Sequence, residues 1–204
     1  MSAMTELDAV NEMLLAIGQA PVNTLEVAGI RDVSVARLQL TNVNREVQSK
    51  GHKFNTFVVK LSQRLDGHVL VPTDALQVDP VDPNIDAIVQ VDFNDAGQRK
   101  LYDVRRDSFE FEKPVEVEMI RLLPFEALPQ YARSYITALA ARRFQASVVG
   151  SPQLDDLLRE REWKAYADFR KAERISQDNN IIRDAAVRHG RSMTYNRHRN
   201  SRYA

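Results

Sequence analysis

Ala9-Val10-Asn11-Glu12-Met13-Leu14-Leu15-Ala16-Ile17-Gly18-Gln19-Ala20-Pro21-Val22-Asn23-Thr24-Leu25-Glu26, followed further on by Glu46-Val47-Gln48-Ser49-Lys50-Gly51-His52-Lys53-Phe54-Asn55, decides how this chain is read. Leu7, Val10, Leu14 and Ile17 recur at three- and four-residue steps, the single apolar stripe of an amphipathic helix. Thr5 can cap its start, Gly18 can end it, and Pro21 forbids simple continuation. Val33, Ala36, Leu40, Val43 and Val47 form a second stripe, which predicts a helix from Asp32 to Lys50 with Gly51 as its stop. Two helices therefore frame a loop over Gly18–Ile30. Taken singly, Gly18, Pro21 and Gly51 are punctuation and the apolar residues are core, because no catalytic combination of side chains accompanies them.

From Phe54 to Leu123 the period changes. Short runs such as Phe57-Val58-Val59, Val69-Leu70-Val71, Ile88-Val89-Gln90-Val91 and Val115-Glu116-Val117-Glu118-Met119-Ile120 alternate with Asp, Asn, Gly and Pro, the pattern of strands and turns. Val115, Val117 and Met119 alternating with Glu116 and Glu118 predict an antiparallel strand with one wet face. Asn94-Asp95-Ala96-Gly97 reads as a hairpin tip leading into Lys100-Leu101-Tyr102-Asp103, and Asp79-Pro80-Val81-Asp82-Pro83-Asn84 as a stiff loop. The helical period returns at Pro129, placed in a first helical turn, and continues through Tyr135, Ile136, Leu139, Ala140, Arg143 and Phe144 to a stop at Gly150. Ser151-Pro152 then caps and opens a further helix through Leu154, Leu157, Leu158, Ala165, Phe169 and Ala172. Each of the last two helices should be on the order of 30 Å long.

The expected fold is α+β. Residues 1–54 and 125–180 build a helical bundle, a small antiparallel β domain over 55–124 is inserted into it, and 181–204 form a basic C-terminal tail. Within Arg183–Ala204, six arginines face the single acid Asp184, net +5 with both histidines neutral, and Tyr195 and Tyr203 are interleaved. Such a segment cannot offset its own ordering entropy and should order only on a partner.

The 204 residues suffice for one or two domains, and 44% hydrophobic with 27% charged residues is globular material. The 28 acidic and 28 basic side chains cancel, so no global field steers the chain to nucleic acid or membrane. No cysteine is present, which removes disulfides and thiolate metal sites and suits a reducing cytoplasm. The acidic Met1–Asp8 stretch is not a signal peptide, and no apolar run approaches the roughly 20 residues of a membrane span.

Acidic pairs are the first candidates for catalysis: Asp155 with Asp156, Glu160 with Glu162, Glu116 with Glu118, Asp79 with Asp82. None of these spacings builds an acid–base dyad, and each reads as a solvated face, with Glu160 placed to pair with Lys164 one turn on. His52, His68, His189 and His198 show no HxxxH or HxH spacing. Nucleophile, phosphate-cradling and dinucleotide motifs are missing. No catalytic, cofactor-binding or metal-binding residue is assigned, no cofactor is expected, and the chain is not read as an enzyme.

The two quoted segments, in order and spacing, resemble the opening of the tail tubular protein A family, the head-to-tail adaptors of short-tailed bacteriophages. Weaker likeness continues through Val71-Pro72, Leu101-Tyr102-Asp103, Leu123-Pro124-Phe125-Glu126-Ala127-Leu128-Pro129 and Ala140-Ala141-Arg142-Arg143-Phe144. His52 stands where the family usually has Trp, and its ring is expected to pack against the end of the second helix in that place. The resemblance implies a structural virion protein of the tail neck, assembled in the host cytoplasm. It would form a dodecameric homo-oligomeric ring between the portal protein and a nozzle protein like tail tubular protein B. Tail fibres are a further implied partner, and DNA would pass through the channel without specific binding.

Three readings of the basic tail stay open: contact with nucleic-acid phosphates, a solvated terminus, or docking into an acidic groove of a protein partner. The resemblance favours the third, with the portal as partner and Arg183, Arg188, Arg191, Tyr195, Arg197, Arg199, Arg202 and Tyr203 as its contacts. Two other functions stand beside the adaptor. One is a tail-borne peptidoglycan-degrading enzyme, which needs two carboxylates about 5–10 Å apart in a cleft. The other is a non-specific nucleic-acid-binding module that uses the tail.

Overall fold

The computed structural model describes the backbone of residues 3–26, 31–93 and 95–199, and the side chains within those spans up to residue 176. Helix α1 (Glu6–Ala16) opens on the expected cap. Thr5 Oγ1 accepts from the Asp8 amide at 3.1 Å while the Asp8 carboxylate accepts from the Thr5 amide at 2.9 Å. The helix closes at Gly18, whose φ of +79° lets the Gly18 and Gln19 amides turn back to the carbonyls of Leu15 and Leu14. Asn11 pins the loop beyond: its Nδ2 donates to the Val22 carbonyl (2.9 Å) and its Oδ1 accepts from the Val22 amide (2.8 Å), as a neighbouring strand would.

Helix α2 (Arg31–Ser49) buries Val33, Ala36, Leu40, Val43 and Val47, the stripe expected of it. After the β region a short 3-10 turn, Phe125–Ala127, leads to α3 (Gln130–Val148). Pro129 is the residue before this helix rather than part of its first turn, with φ −63° and an extended ψ of 149°. Its sequence shows one stripe, yet Ala132, Thr137, Ala138, Ala141 and Gln145 are buried as well as Tyr135, Ile136, Leu139, Ala140 and Phe144. The reason is that α1, α2 and α4 all pack on α3, and small residues on every side let three neighbours approach. These helices enclose one core around Met13, Leu40, Val43, Ile136, Phe144 and Phe169.

Helix α4 (Pro152–Arg199) starts at the expected Ser151-Pro152 and is far longer than expected: its 48 residues span about 72 Å. The segment that composition reads as an unordered tail is helical in its backbone as far as Arg199. Extending an existing helix needs no new nucleus, and the segment has no proline to stop it.

The inserted region holds two small antiparallel sheets. Strands β1 (Thr56–Leu61), β5 (Val115–Arg121) and β2 (Ala75–Pro80) form one in the order β1-β5-β2, and β3 (Ala87–Asp92) with β4 (Gln98–Asp103) forms a hairpin. Val115, Val117 and Met119 are buried and Glu116 and Glu118 exposed, as the alternation requires. Two expectations are corrected. Asp79 and Pro80 belong to β2, not to a loop, because β2 is a sheet edge on which a missing proline donor is tolerated. Val69-Leu70-Val71 is not a strand of a ladder; it makes only isolated bridges, Gln63 with Val69 and Leu70 with Lys100. Its apolar side chains serve the second core, which Val69 and Val71 share with Val78, Leu101, Phe111, Val115, Val117 and Met119.

Gly51 stops α2 in the left-handed region, φ +71°, and a Cβ there would lie 2.7 Å from Ile120 Cδ1. At Gly18 the backbone is equally left-handed but nothing lies within 4 Å. Gly18→Ala should therefore cost about 1 kcal/mol, the backbone penalty alone, and Gly51→Ala about 2–4 kcal/mol, since overpacking is added. Urea unfolding of the two variants checks the order; equal losses would mean that Ile120 yields freely.

Candidate functional site

The chain passes between the two cores twice, at 50–55 and at 121–124, and the second quoted segment lies at this junction. Gln48 is fully buried; its Nε2 donates to the Leu123 carbonyl (2.9 Å) and its Oε1 accepts from the Leu123 amide (2.8 Å). Asn55 is also fully buried, and its Nδ2 donates to the carbonyls of Gln48 (2.9 Å) and Arg121 (3.0 Å). The Asn55 Oδ1 accepts from the His52 amide at 2.8 Å. The Arg121 amide donates to the Asn55 carbonyl at 2.9 Å, and the Arg121 Nε lies 2.8 Å from Asp74 Oδ2. Together these bonds knit the end of α2, the start of β1 and the exit from β5 into one joint. Sequence spacing places these residues in a signature but does not reveal the amide bonding of Asn11, Gln48 and Asn55. The available signal is a run of amide side chains beside helix stops and apolar residues, where buried amides must find partners.

His52 packs at the end of α2 as expected, with Nε2 2.9 Å from the Val47 carbonyl. It also reaches a partner that periodicity could not name: Nδ1 is 3.0 Å from Glu173 Oε2 on α4. The ring stacks on Phe54, with centroids 5.3 Å apart, and meets Phe169 edge-on at 4.9 Å. Lys53 Nζ donates to the Ser176 carbonyl, also on α4. Burial, and then the charge of Glu173, hold the nearby Tyr131 phenol above its ordinary value.

Around the bundle, arginine–carboxylate pairs tie successive helices. Arg37 Nε joins α2 to Glu6 of α1 at 2.8 Å, and Arg143 joins α3 to Glu46 of α2 through two bonds of 2.5 and 3.0 Å. Arg142 joins α3 to α4 through Asp155 (2.7 and 3.0 Å) and Glu162 (3.1 Å), and Arg161 of α4 pairs with Glu12 of α1. Hydrogen bonds to Asp155 and Glu162 raise Arg142 further above its already high value, while the bond from Arg143 lowers Glu46. Two carboxylates expected on a solvated face, Asp155 and Glu162, thus converge on one guanidinium. Both are bound to Arg142 and so do not form a free acid–base pair. Glu160 does pair with Lys164, at 2.9 Å.

In the β region the hairpin tip is braced by a lysine. Lys100 Nζ is fully buried 2.9 Å from Asp92 Oδ2, 2.8 Å from Asp95 Oδ2 and 2.9 Å from His68 Nδ1. Burial alone would lower this ammonium, but the bonds to Asp95 and Asp92 outweigh it and hold it above the usual lysine value. Asn94, part of the expected tip, lies outside the described residues. Phe93 at the tip is 88% exposed, and Arg64 bonds to Gln98 (3.3 Å) beside the fully exposed Leu65. Large apolar side chains are also exposed on α4, where Trp163, the only tryptophan, is 69% exposed, and on α1 and α2 at Leu15 and Leu38.

The residues read as partner contacts fall at the far end of α4. Arg183, Arg188, Arg191, Tyr195, Arg197 and Arg199 lie on its backbone, and their side chains are outside those described; Arg202 and Tyr203 lie outside the described residues altogether. Helical spacing places positions 188, 191, 195 and 199 on one line along the helix. Among the described residues there is no cluster of three or more His, Asp or Glu able to hold a metal ion, and no helix long and apolar enough to cross a membrane.

The profile of the tail tubular protein family matches residues 7–179, from the first turn of α1 into α4, and so includes both quoted segments and the junction. Tail tubular protein A of Klebsiella phage KP34 is 29% identical over 133 residues, 65% of this chain and 67% of that relative.

Proposed function

We propose that this chain, which belongs to the tail tubular protein family, is a ring-forming head-to-tail adaptor that joins the portal to the tail nozzle and gives DNA a conduit during ejection. Its place as a structural component of a phage tail follows from the family itself. The observation that carries the finer reading is how the quoted segments use their polar side chains. Asn11, Gln48 and Asn55 all bond to backbone, so the amides of the segments most characteristic of the chain hold elements in place, as a structural part requires.

A closed ring needs two different surfaces on each subunit, one meeting the other on the next copy. Exposed apolar side chains on separate elements, Leu65 and Phe93 in the β region and Leu157 and Trp163 on α4, support that requirement. The bundle, tied by its arginine pairs, would form the ring wall. The β region would face the nozzle or the neighbouring subunit. The arginines from Arg183 onward would clamp an acidic surface of the portal, where bidentate pairs with carboxylates give affinity and register. A basic segment pointing into the lumen would hold the passing DNA, so outward docking fits a conduit better. Assembly in the host cytoplasm suits the cysteine-free chain.

Deleting residues 183–204 and mixing the shortened chain with purified portal tests the clamp. Attachment should be lost while the helical content of residues 1–182 persists; unchanged affinity would end the clamp reading.

A further inference from the structure

In an antiparallel ladder, residues whose backbone groups face the partner strand alternate with residues whose groups face away. The Arg121 amide donates to the Asn55 carbonyl, and the register runs on from there. Phe57, Val59 and Leu61 therefore turn toward β5, while Thr56, Val58 and Lys60 turn their amides and carbonyls outward. Among the described residues no strand pairs with β1 on that outer side. The same alternation at β3, set by the Val104 amide on the Asp86 carbonyl, leaves Val89 and Val91 facing away from β4, and no strand pairs there either.

These two edges are unprotected. Strand β1 reads Thr-Phe-Val-Val-Lys-Leu, with no proline and no acid. Its neighbouring Phe57 and Val58, on opposite faces of the sheet, are 38% and 58% exposed. On β3, Ile88 and Val91 also lie on opposite faces and are both nearly half exposed. The other edge of the three-stranded sheet is treated differently. There β2 carries a register shift between Ala75 and Gln77, and Pro80 stands at an outward position, where it offers no donor.

We propose that β1 of each subunit pairs with β3 of the next, so that the three-stranded sheet of one copy and the hairpin of its neighbour run on as one sheet. The pairing rests on the ring reading above and names the surface by which the ring closes. A sheet edge selects its occupant through backbone: an extended strand with free donors and acceptors, and side chains that suit both faces. This chain carries such a strand in β3. Because β1 and β3 are different surfaces, a copy engaged through one still offers the other. The contact repeats head to tail, and a closed ring leaves neither edge open. Pairing β1 with β1 would instead close a two-fold pair and leave β3 open. Charge agrees: Lys60 is the one charged residue of β1 and Asp92 the one charged residue of β3, so the strands bring no like charges together.

The test compares hydrogen exchange of the 204-residue chain alone and assembled on purified portal. Exchange should slow by about tenfold or more in both 56–61 and 87–92 once the ring forms. Val58→Pro removes an outward donor and no bond to β5, a change that an edge strand tolerates. The variant should keep β5 protected and fail to close a ring. Slowing in 56–61 alone would give β1 another occupant, and a ring with unchanged exchange in both strands would leave the edges unpaired. Either result overturns the pairing while the adaptor reading stands, as would rings formed by Val58→Pro with β5 protected. If the variant loses β5 protection, the wild-type exchange decides alone. Absence of any ring with the wild-type chain ends the adaptor reading and the pairing together.

Discussion

Phe144→Ala is expected to lower the unfolding free energy by about 3–5 kcal/mol. Phe144 is fully buried near the end of α3, in the core that α1, α2 and α4 share. Removing its ring takes away transfer free energy and leaves a cavity whose walls come from several helices, so no single neighbour can collapse into it. The loss should appear as a lower urea midpoint with an unchanged slope. Val148→Ala, on the same helix but 40% exposed, should change little and serves as the control. A loss under about 1 kcal/mol for Phe144→Ala would mean that the helices repack around the gap.

Asn55→Ala should cost about 3 kcal/mol, although it deletes no apolar surface. The side chain satisfies two carbonyls, of Gln48 and Arg121, and the His52 amide. Asn55→Asp separates the roles. A carboxylate can still accept from the His52 amide but cannot donate to either carbonyl, and it brings a charge into a fully buried place. The aspartate should therefore be at least as damaging as the alanine, and both should loosen hydrogen exchange first at β5 and the start of β1. If Asn55→Asp were tolerated, the donated bonds to Gln48 and Arg121 would not be what holds the joint.

The ends of α1 and α2 are legible in the sequence because Thr5, Gly18 and Gly51 act through local backbone chemistry, and their apolar stripes have one period and one buried face. Helix α3 is legible as a helix but not as the centre of the bundle, since a stripe shows one face and the alanines that admit its other neighbours look neutral. Strand β5 announces itself by alternation. Strand β2 does not, because Pro80 reads as a break wherever the sheet edge cannot be seen. The length of α4 is hidden for a related reason: arginine-rich composition signals poor burial, and helix continuation depends on the ordered turns before it.

The polar design is the least legible part. Arg142 with Asp155 and Glu162, Lys100 with Asp92 and Asp95, and His52 with Glu173 are all made across elements. Spacing along the chain carries no record of such partners. What the quoted segments do disclose is family and punctuation; the structure adds that their amides are the joints of the fold.

Whether this chain builds a ring between portal and nozzle is decided by imaging the purified 204-residue chain mixed with purified portal at low resolution. A closed ring of copies of this chain stacked on one face of the portal, with an open central channel, is the expected image. A chain that remains monomeric beside intact portal would contradict it.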